Sequence, residues 1–148
     1  VHEFITCRSC DWVNVVAVTR RRELLLIRQF RHGSRKTEWE IPGGCIDPSD
    51  PSPEAAGIRE LMEETGFAGK NARIIGRVHP NPALQGNYCH TVLIEDAEQV
   101  SEPHLEPTEC IVSALLPEEK VREMIRGGVI EHGLVLNALM FYFMEKQK

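Results

Sequence analysis

The stretch Arg59-Glu60-Leu61-Met62-Glu63-Glu64-Thr65-Gly66 decides how this chain is interpreted. Residues three and four positions apart lie on one face of an α-helix, so Glu60, Glu63 and Glu64 converge if the stretch is helical. Three carboxylates on one face repel one another unless a cation lies among them. Donors that are all oxygen suit a hard cation such as Mg²⁺ or Mn²⁺. The alternative interpretation is a solvated acidic helix face without a ligand.

The helix that carries this stretch has clear start and end signals. Ser52 is a suitable N-cap, Pro53 takes the first helical position, and Gly66 can adopt the left-handed conformation that ends a helix. The sequence therefore predicts a helix that runs to about Thr65. Upstream, Pro42-Gly43-Gly44 brings a backbone without bulky side chains close to this helix. A carbonyl there can serve as another oxygen ligand, and a phosphate can approach closely.

The rest of the chain mixes strands and helices. Apolar and β-branched runs predict strands over residues 12–18, 24–30, 38–41, 74–75, 90–94 and 110–116. Proline-containing polar runs predict loops over 45–51 and 95–108, and helices are expected over 117–126 and 134–146. Most strands precede the two C-terminal helices, which predicts an α+β fold in the form of a layered α/β/α sandwich. The last helix is apolar nearly all round, which favours a core helix over a dimer seam.

Composition limits the possible functions. The 148 residues are 42% hydrophobic and 26% charged, which suits one domain over residues 1–148. No apolar run reaches the roughly 20 residues that a membrane span needs, and a net charge of −5 argues against a partner made of duplex nucleic acid. Residues 1–40 carry a charge balance of +3 and the remainder −8. This asymmetry fits an anionic substrate beside an acidic metal site, or a chance distribution over a solvated surface.

Cysteine usage indicates a reducing compartment, and we expect a cytoplasmic location. The chain has five cysteines, an odd number. Cys7-Arg8-Ser9-Cys10 could supply half of a zinc site, but no second CxxC or HxxxH motif follows it. Free or buried thiols are therefore the favoured interpretation.

The spacing around the acidic helix resembles a known family motif. Five elements stand in order along the chain: Gly44, Asp50, Arg59-Glu60, Glu63-Glu64 and Gly66-Phe67. This order resembles the Nudix box, with two departures. Asp50 stands where the motif has its first glutamate, and one extra residue precedes the helix. The resemblance implies that a carboxylate orients Arg59, and either Asp50 or Asp47 could do so.

Flanking elements resemble one branch of the Nudix family. Residues 12–16, 28–33 and 39–44 are similar to segments of the ADP-ribose and nucleoside-diphosphate-sugar pyrophosphatases. That branch has a proline beyond the box, and Pro82 lies fifteen residues past Phe67 while Pro80 lies thirteen past it. The resemblance implies hydrolysis of the diphosphate bond of ADP-ribose or a related sugar nucleotide, giving a nucleoside monophosphate and a sugar phosphate. It also implies a homodimer, although the N-terminal extension of this branch is expected to be short or missing here.

The resemblance also implies roles for individual residues. Glu60, Glu63, Glu64 and the Gly43 carbonyl would hold Mg²⁺ or Mn²⁺, which activates the attacking water, and Glu63 and Glu64 would take part in catalysis. A general base is expected outside the box, among the glutamates before the last strand, where Glu109 is favoured over Glu106. The expected substrate-binding residues are Arg31, Trp12, Arg59, Gly44 and Pro82. Trp12 could equally be a core residue, and Arg28 should point away from Arg31, since their offset along a strand is odd.

The sequence is also compatible with other functions. One is a Nudix pyrophosphatase that acts on a nucleoside triphosphate, a dinucleoside polyphosphate, coenzyme A or NADH. Another is a Nudix-like module that binds nucleotides without catalysis. Modules of that kind tend to lose glutamates of the box. The presence of Glu60, Glu63 and Glu64 favours an enzyme.

Overall fold

The computed structural model describes residues 2–146, so both ends of the predicted domain 1–148 lie outside the described residues. Within that range the chain forms seven strands and three helices. Their bounds are β1 (Trp12–Ala17), β2 (Glu23–Arg31), β3 (Lys36–Glu40), β4 (Gly43–Cys45), α1 (Pro53–Thr65), β5 (Phe67–Val78), β6 (Cys89–Gln99), β7 (Ile111–Pro117), α2 (Glu118–Arg126) and α3 (Gly133–Glu145). None of these helices is long and apolar enough to cross a membrane.

The strands form two sheets. The first has the order β4-β1-β6-β5, and β1 pairs parallel with β6 but antiparallel with β4. The second has the order β3-β2-β7 and is antiparallel throughout. Strand β1 therefore lies inside the mixed sheet with a neighbour on each side. Its position beside β4 brings the Gly43-Gly44 pair next to the centre of the fold.

Alternate residues of β1 face opposite sides of the mixed sheet, and each side is covered by a different helix. Val13 and Val15 belong to a core that includes Leu61 of α1. Val16 belongs to a separate core that includes Leu139 of α3. All of these side chains are almost completely buried. This arrangement confirms the predicted α+β fold with an α/β/α sandwich.

The ends of α1 agree with the sequence prediction. The Ser52 hydroxyl accepts a hydrogen bond from the backbone N–H of Ala55 at 3.2 Å. Gly66 has a φ of +71°, and its N–H donates to the Met62 carbonyl at 2.8 Å. A Cβ atom at Gly66 would lie 2.0 Å from the Ser101 carbonyl oxygen. Only glycine therefore fits here, because both the backbone conformation and the close chain crossing exclude a side chain.

Three sequence predictions about strands were wrong. Residues 95–99, predicted as a loop, continue β6, and β5 extends far beyond the predicted residues 74–75. Cross-strand pairing overrides the low strand propensity of this polar segment, since Glu95 forms an ion pair with Arg73 at 3.2 Å. Residues 43–45, predicted as the end of a strand and the start of a loop, form the separate strand β4 in the other sheet. The chain changes sheets at Ile41-Pro42, where the Pro42 carbonyl accepts from Val15 N–H at 2.8 Å.

The final helix is a core helix on one face only. Five of its residues are buried, namely Val135, Ala138, Leu139, Tyr142 and Phe143. Met140 and Met144 on the other side are exposed. The helix α3 is therefore less buried than its apolar sequence predicts.

Candidate active site

A cavity of about 760 Å³ opens where the two sheets and the start of α3 meet. This volume falls within the range of small-molecule sites. Its lining includes Trp12, Asn14, Arg31, Lys36, Glu40, Gly43, Gly44, Cys45, Glu131 and His132. The walls thus come from β1, the β2–β3 hairpin, β4 and the segment before α3, which brings distant parts of the chain to one place.

An acidic cluster lies beside this cavity. Glu64 is 5% exposed, and its Oε2 accepts a hydrogen bond from the Gly43 backbone N–H at 3.0 Å. Burial raises the pKa of Glu64 to about 8, and the charges of Glu60 and Glu109 add to the rise. Burial also raises the pKa of Glu60, with contributions from Glu63 and Glu109. The cluster therefore concentrates carboxylates where water cannot solvate them well.

The glycine pair lets β4 lie between β1 and α1. A Cβ atom at Gly43 would lie 2.2 Å from the Val13 carbonyl oxygen. A Cβ atom at Gly44 would lie 2.6 Å from Glu60 Oε1 and 2.8 Å from its Cδ. Any side chain at residue 44 would therefore displace the carboxylate of Glu60. The close approach predicted from Pro42-Gly43-Gly44 is present, and Glu60 occupies the space that it creates.

Arg59 is held by a group of carboxylates. Its Nε and Nη2 donate to the two oxygens of Asp50 at 3.1 and 2.9 Å, while Asp47 lies 3.7 Å away. Asp50 is thus the main carboxylate partner of Arg59, and Asp47 is the peripheral one. Nη1 donates to Glu60 at 2.9 Å and to Glu63 at 3.0 Å. The Glu63 side chain is 49% exposed and turned toward Arg59, so it does not join Glu64 in the buried part of the cluster.

The predicted contact between Arg59 and substrate has no free donor in this arrangement. A guanidinium has five N–H groups, and the remaining Nη2 donor of Arg59 binds the Cys45 carbonyl at 3.0 Å. The other four N–H groups donate to Asp50, Glu60 and Glu63. We therefore interpret Arg59 as a positioning residue that fixes the acidic helix against the preceding loop.

The donor set fits a hard divalent cation. Burial and neighbouring carboxylates raise the pKa of Glu60 and of Glu64, so ionising these two groups is costly. A cation between them would offset that cost. Among residues 2–146, no three His, Cys, Asp or Glu side chains are arranged so that they could hold a metal ion by themselves. Mg²⁺ is usually held by one or two carboxylates together with waters and substrate phosphates, so it does not need such a triad.

Arg31 faces the cavity and is held by a buried acid. Its Nε and Nη2 donate to the two oxygens of Glu40, each at 2.7 Å. Hydrogen bonding to Glu40 raises the pKa of Arg31. Arg28 lies on the opposite side of the strand, with its guanidinium 5.3 Å from the centre of the Trp39 ring. The predicted opposite orientation of the two arginines is confirmed.

The structure brings together only some of the remaining candidates. Trp12 is half-buried and lines the cavity, so a stacking role stays a prediction. Glu109 is partly buried and interacts electrostatically with the acidic cluster. Glu106 is exposed, and its backbone N–H donates to Glu109 Oε2 at 3.0 Å. Pro82 is exposed and is not among the residues that line the cavity.

Three residues at the cavity were not predicted as site residues. Glu40 is 3% exposed and positions Arg31. Its two-residue spacing from Glu38 along β3 was a usable signal, because such residues share one face of a strand. The buried Nδ2 of Asn14 and Nδ1 of His132 have no hydrogen-bond partner among the described residues. His132 lies far from the box in sequence, and no local pattern indicates its place at the cavity.

Comparison with known proteins adds a family match. A model of the NUDIX domain matches residues 11–135. Among curated proteins, a CMP-5'-(N-acetyl-N-hydroxy-3-aminopropyl)phosphonate hydrolase of Streptomyces rubellomurinus is 31% identical over 86% of this chain and 60% of its own length. An ADP-ribose pyrophosphatase of Bacillus subtilis is 32% identical over 61% of this chain and 48% of its own length. The chain thus spans about half to three fifths of these two relatives.

A solved structure shares the fold. The crystal structure of an ADP compounds hydrolase superposes with a TM-score of 0.80 at 23% sequence identity. The match covers 93% of this chain and 74% of the other one. The arrangement of sheets and helices around the cavity is therefore one that solved structures already contain.

Proposed function

The chain belongs to the Nudix family, since the family model matches most of its length, and from this premise we propose that it is a pyrophosphohydrolase. Its proposed substrate is a nucleoside diphosphate derivative, with ADP-ribose or a nucleoside-diphosphate sugar as the first candidate. The observation that carries this proposal is the buried acidic cluster beside a cavity that also holds Arg31. Carboxylates for a cation and an arginine for a phosphate are the two groups that a diphosphate site requires.

Substrate binding is proposed to use Arg31. The bidentate bond to Glu40 occupies two of the five N–H groups of the guanidinium, and the side chain remains 42% exposed. The other donors are available for phosphate oxygens at the cavity. Trp12, which also lines the cavity, is proposed to contact the nucleobase.

Cation binding is proposed for Glu60, Glu64, Glu63 and the Gly43 carbonyl, with Mg²⁺ or Mn²⁺ as the ion. When bound, such an ion neutralises charge on the diphosphate and lowers the pKa of water. The Gly43 N–H fixes the orientation of the Glu64 carboxylate, and Arg59 fixes that of Glu60. These contacts keep the carboxylates in place before substrate arrives.

Proton transfer is proposed to use Glu109. Water oxygen attacks one phosphorus, the bond from that phosphorus to the bridging oxygen breaks, and the sugar phosphate leaves. Glu109 accepts the proton of the attacking water. Its partial burial and its electrostatic interaction with Glu60 and Glu64 support this role.

A second candidate substrate class follows from the Streptomyces relative. That protein matches a larger share of this chain than the Bacillus pyrophosphatase does, and its name states a CMP-linked phosphonate substrate. Both candidates share a nucleoside monophosphate joined to a second group. They differ in the nucleobase and in the second group, and a substrate panel can distinguish them.

The experiment that tests the function is a substrate panel with Mg²⁺, read by product chromatography. It contains ADP-ribose, ADP-glucose, UDP-glucose, NADH, diadenosine polyphosphates, deoxynucleoside triphosphates and a CMP-linked phosphonate. We expect ADP-ribose to give AMP and ribose 5-phosphate, and Glu64→Gln to lose this activity. Turnover of triphosphates alone would exclude the proposed substrate class. The absence of turnover on the whole panel, with metal saturating, would exclude the enzyme.

A homodimer and a cytoplasmic location are also proposed. Phe4 and Ile5 are 87% and 83% exposed, which supports an apolar contact with a second copy. The free state of all five cysteines supports a reducing compartment. Light scattering coupled to gel filtration tests the dimer, and a monomer at micromolar concentration would contradict it.

A further inference from the structure

Two cysteines that the proposed mechanism does not use lie in direct contact. The Sγ atoms of Cys10 and Cys45 are 2.6 Å apart, although they are separated by 35 residues in sequence. Both cysteines are free and exposed, and Cys45 lines the cavity. We propose that Cys10 and Cys45 form a reversible disulfide, which makes this edge of the cavity a redox-modification site.

The backbone on both sides holds the two cysteines together. The Ile46 N–H donates to the Asp11 carbonyl at 2.8 Å, which joins the residues next to the two thiols. The Asn87 side chain donates to the Cys10 carbonyl at 2.8 Å. These contacts fix both chain segments against the same sheet. Backbone pairing therefore brings the two cysteines close together.

The structure favours Cys45 over Cys7 as the partner of Cys10. Cys7 belongs to the CxxC motif, but its N–H donates to the Leu84 carbonyl at 2.7 Å. It also forms a bridge with Gln85, so residue 7 is attached to the segment before β6. The sulfur contact of Cys10 is instead with Cys45. The fold thus brings Cys10 into contact with Cys45 and not with the other cysteine of the CxxC motif.

The chemistry needs a two-electron oxidant, for which we name a hydroperoxide. One cysteine sulfur attacks a peroxide oxygen, the O–O bond breaks, and a sulfenic acid and one molecule of water form when hydrogen peroxide is the oxidant. The second sulfur then attacks the first, the S–O bond breaks, and a second water leaves with the remaining proton. The two thiols are oxidised and the peroxide is reduced. A dithiol reductant reverses the step by exchange.

The cross-link would restrain the strand that positions the acidic helix. The Cys45 carbonyl accepts a hydrogen bond from Arg59, and the neighbouring Gly44 packs against Glu60. Joining residues 10 and 45 also closes a loop, which limits the unfolded chain. We therefore expect the oxidised protein to melt about 5–10 °C higher than the reduced protein.

The test uses the intact chain and a small excess of hydrogen peroxide under native conditions. Thiol titration after denaturation is expected to fall from the five cysteines of the sequence to three, and to return to five after dithiothreitol. Trypsin cleaves after Arg8, which separates Cys7 from Cys10 before mass analysis. The expected product is a reducible cross-link between residues 9–20 and residues 37–59. Neither readout uses enzyme activity, so the result is independent of the proposed function.

Variants make the assignment specific. Cys10→Ser and Cys45→Ser should each abolish the cross-link and the rise in melting temperature. Cys110→Ser is the matched control, because Cys110 is also an exposed free thiol, and it should leave the loss of two thiols unchanged. An unchanged thiol count after peroxide would overturn the proposal. A cross-link between residues 1–8 and residues 9–20 would overturn it as well, because Cys7 would then be the partner.

Discussion

The guanidinium of Arg31 meets the carboxylate of Glu40 through two parallel hydrogen bonds, each 2.7 Å long. The Glu40 side chain is 4% exposed and that of Arg31 is 42% exposed. The acid therefore holds the arginine from the protein side and leaves its remaining donors at the cavity. Both residues belong to the antiparallel sheet, so this pair forms part of the cavity wall that the sheet supplies.

Substitution of Arg31 by lysine should weaken substrate binding. Lysine keeps the positive charge but cannot form the planar two-point contact with Glu40 or with a phosphate. We expect KM to rise about 10–100-fold with a smaller change in kcat. Steady-state kinetics on ADP-ribose measures both. Arg28→Lys is the control, because Arg28 lies on the other side of the strand, and an equal effect of the two substitutions would contradict the role of Arg31.

A methyl group at Gly44 should impair activity more than stability. The Cβ atom of Gly44→Ala would lie 2.6 Å from Glu60 Oε1, so the Glu60 carboxylate must move. The backbone need not move, since the nearest atoms belong to the end of that side chain. We expect kcat to fall about tenfold or more while the melting temperature changes by only a few degrees.

The matched control for this change is Gly86→Ala. A Cβ atom at Gly86 has no atom within 4 Å, so the substitution should alter neither kcat nor the melting temperature. If Gly44→Ala kept full activity, the position of Glu60 beside the glycine pair would not matter for catalysis.

Removal of the Asp50 charge should destabilise the loop before α1. Asp50→Asn loses a charge-assisted two-point contact with Arg59, and we expect the free energy of unfolding at neutral pH to fall by about 1–2 kcal/mol. Urea unfolding measures this difference. Asp47→Asn is the control, because Asp47 is 55% exposed and 3.7 Å from Arg59. Its effect should stay below about 0.5 kcal/mol.

The Asp50 contribution should also depend on pH. Hydrogen bonding to Arg59 holds the pKa of Asp50 below its ordinary value of 3.8. An acid whose pKa is lowered by folding stabilises the folded state above that ordinary value, and the effect is lost as the pH falls through the lowered pKa. The unfolding free energies of wild type and Asp50→Asn should therefore converge in acid. A constant difference down to the lowest pH would contradict the pairing with Arg59.

The two glutamates before β7 should differ in their effect on the reaction. Glu109→Gln should lower kcat by about 10²–10⁴-fold, because a general base is lost, and leave KM nearly unchanged. Glu106→Gln should retain near-normal kcat, since Glu106 is exposed and contacts Glu109 only through its backbone. Single-turnover measurements with saturating metal separate this step from product release. Full activity in both variants would show that neither Glu106 nor Glu109 is the general base.

Local features of the site were predictable from the sequence because they depend on neighbours along one helix. Ser52, Pro53 and Gly66 determine the ends of α1, and their signals lie within the helix and its caps. The register of Glu60 and Glu64 on that helix follows from its period. The sequence alone could not show that Glu64 is buried while Glu63 is half exposed. That difference depends on β4, which covers one glutamate and leaves the other toward Arg59.

Features that depend on long-range pairing were not predictable. The acidic end of β6 resembles a loop in composition, and it is a strand only because β5 pairs with it. The contact between Cys10 and Cys45 depends on β1 and β4 lying side by side. His132 reaches the cavity because α3 covers the face of the mixed sheet opposite α1. In each case the contact is made with a residue that is distant in sequence, and no local sequence pattern predicts it.

The parallel pairing of β1 with β6 also affects the order in which the molecule can be built. Trp12 pairs with Cys89, 77 residues further along the chain. A ribosome therefore completes the glutamate helix before it begins the strand that borders β1 in parallel. Contacts across such a separation form late and slowly, since a long segment must close first. The half of the domain that carries the acidic helix thus depends on the later half for part of its core, because Val92 and Ile94 of β6 belong to the same core cluster as Leu61 of α1. A nascent chain that pauses before residue 89 would lack this part of the support beneath α1.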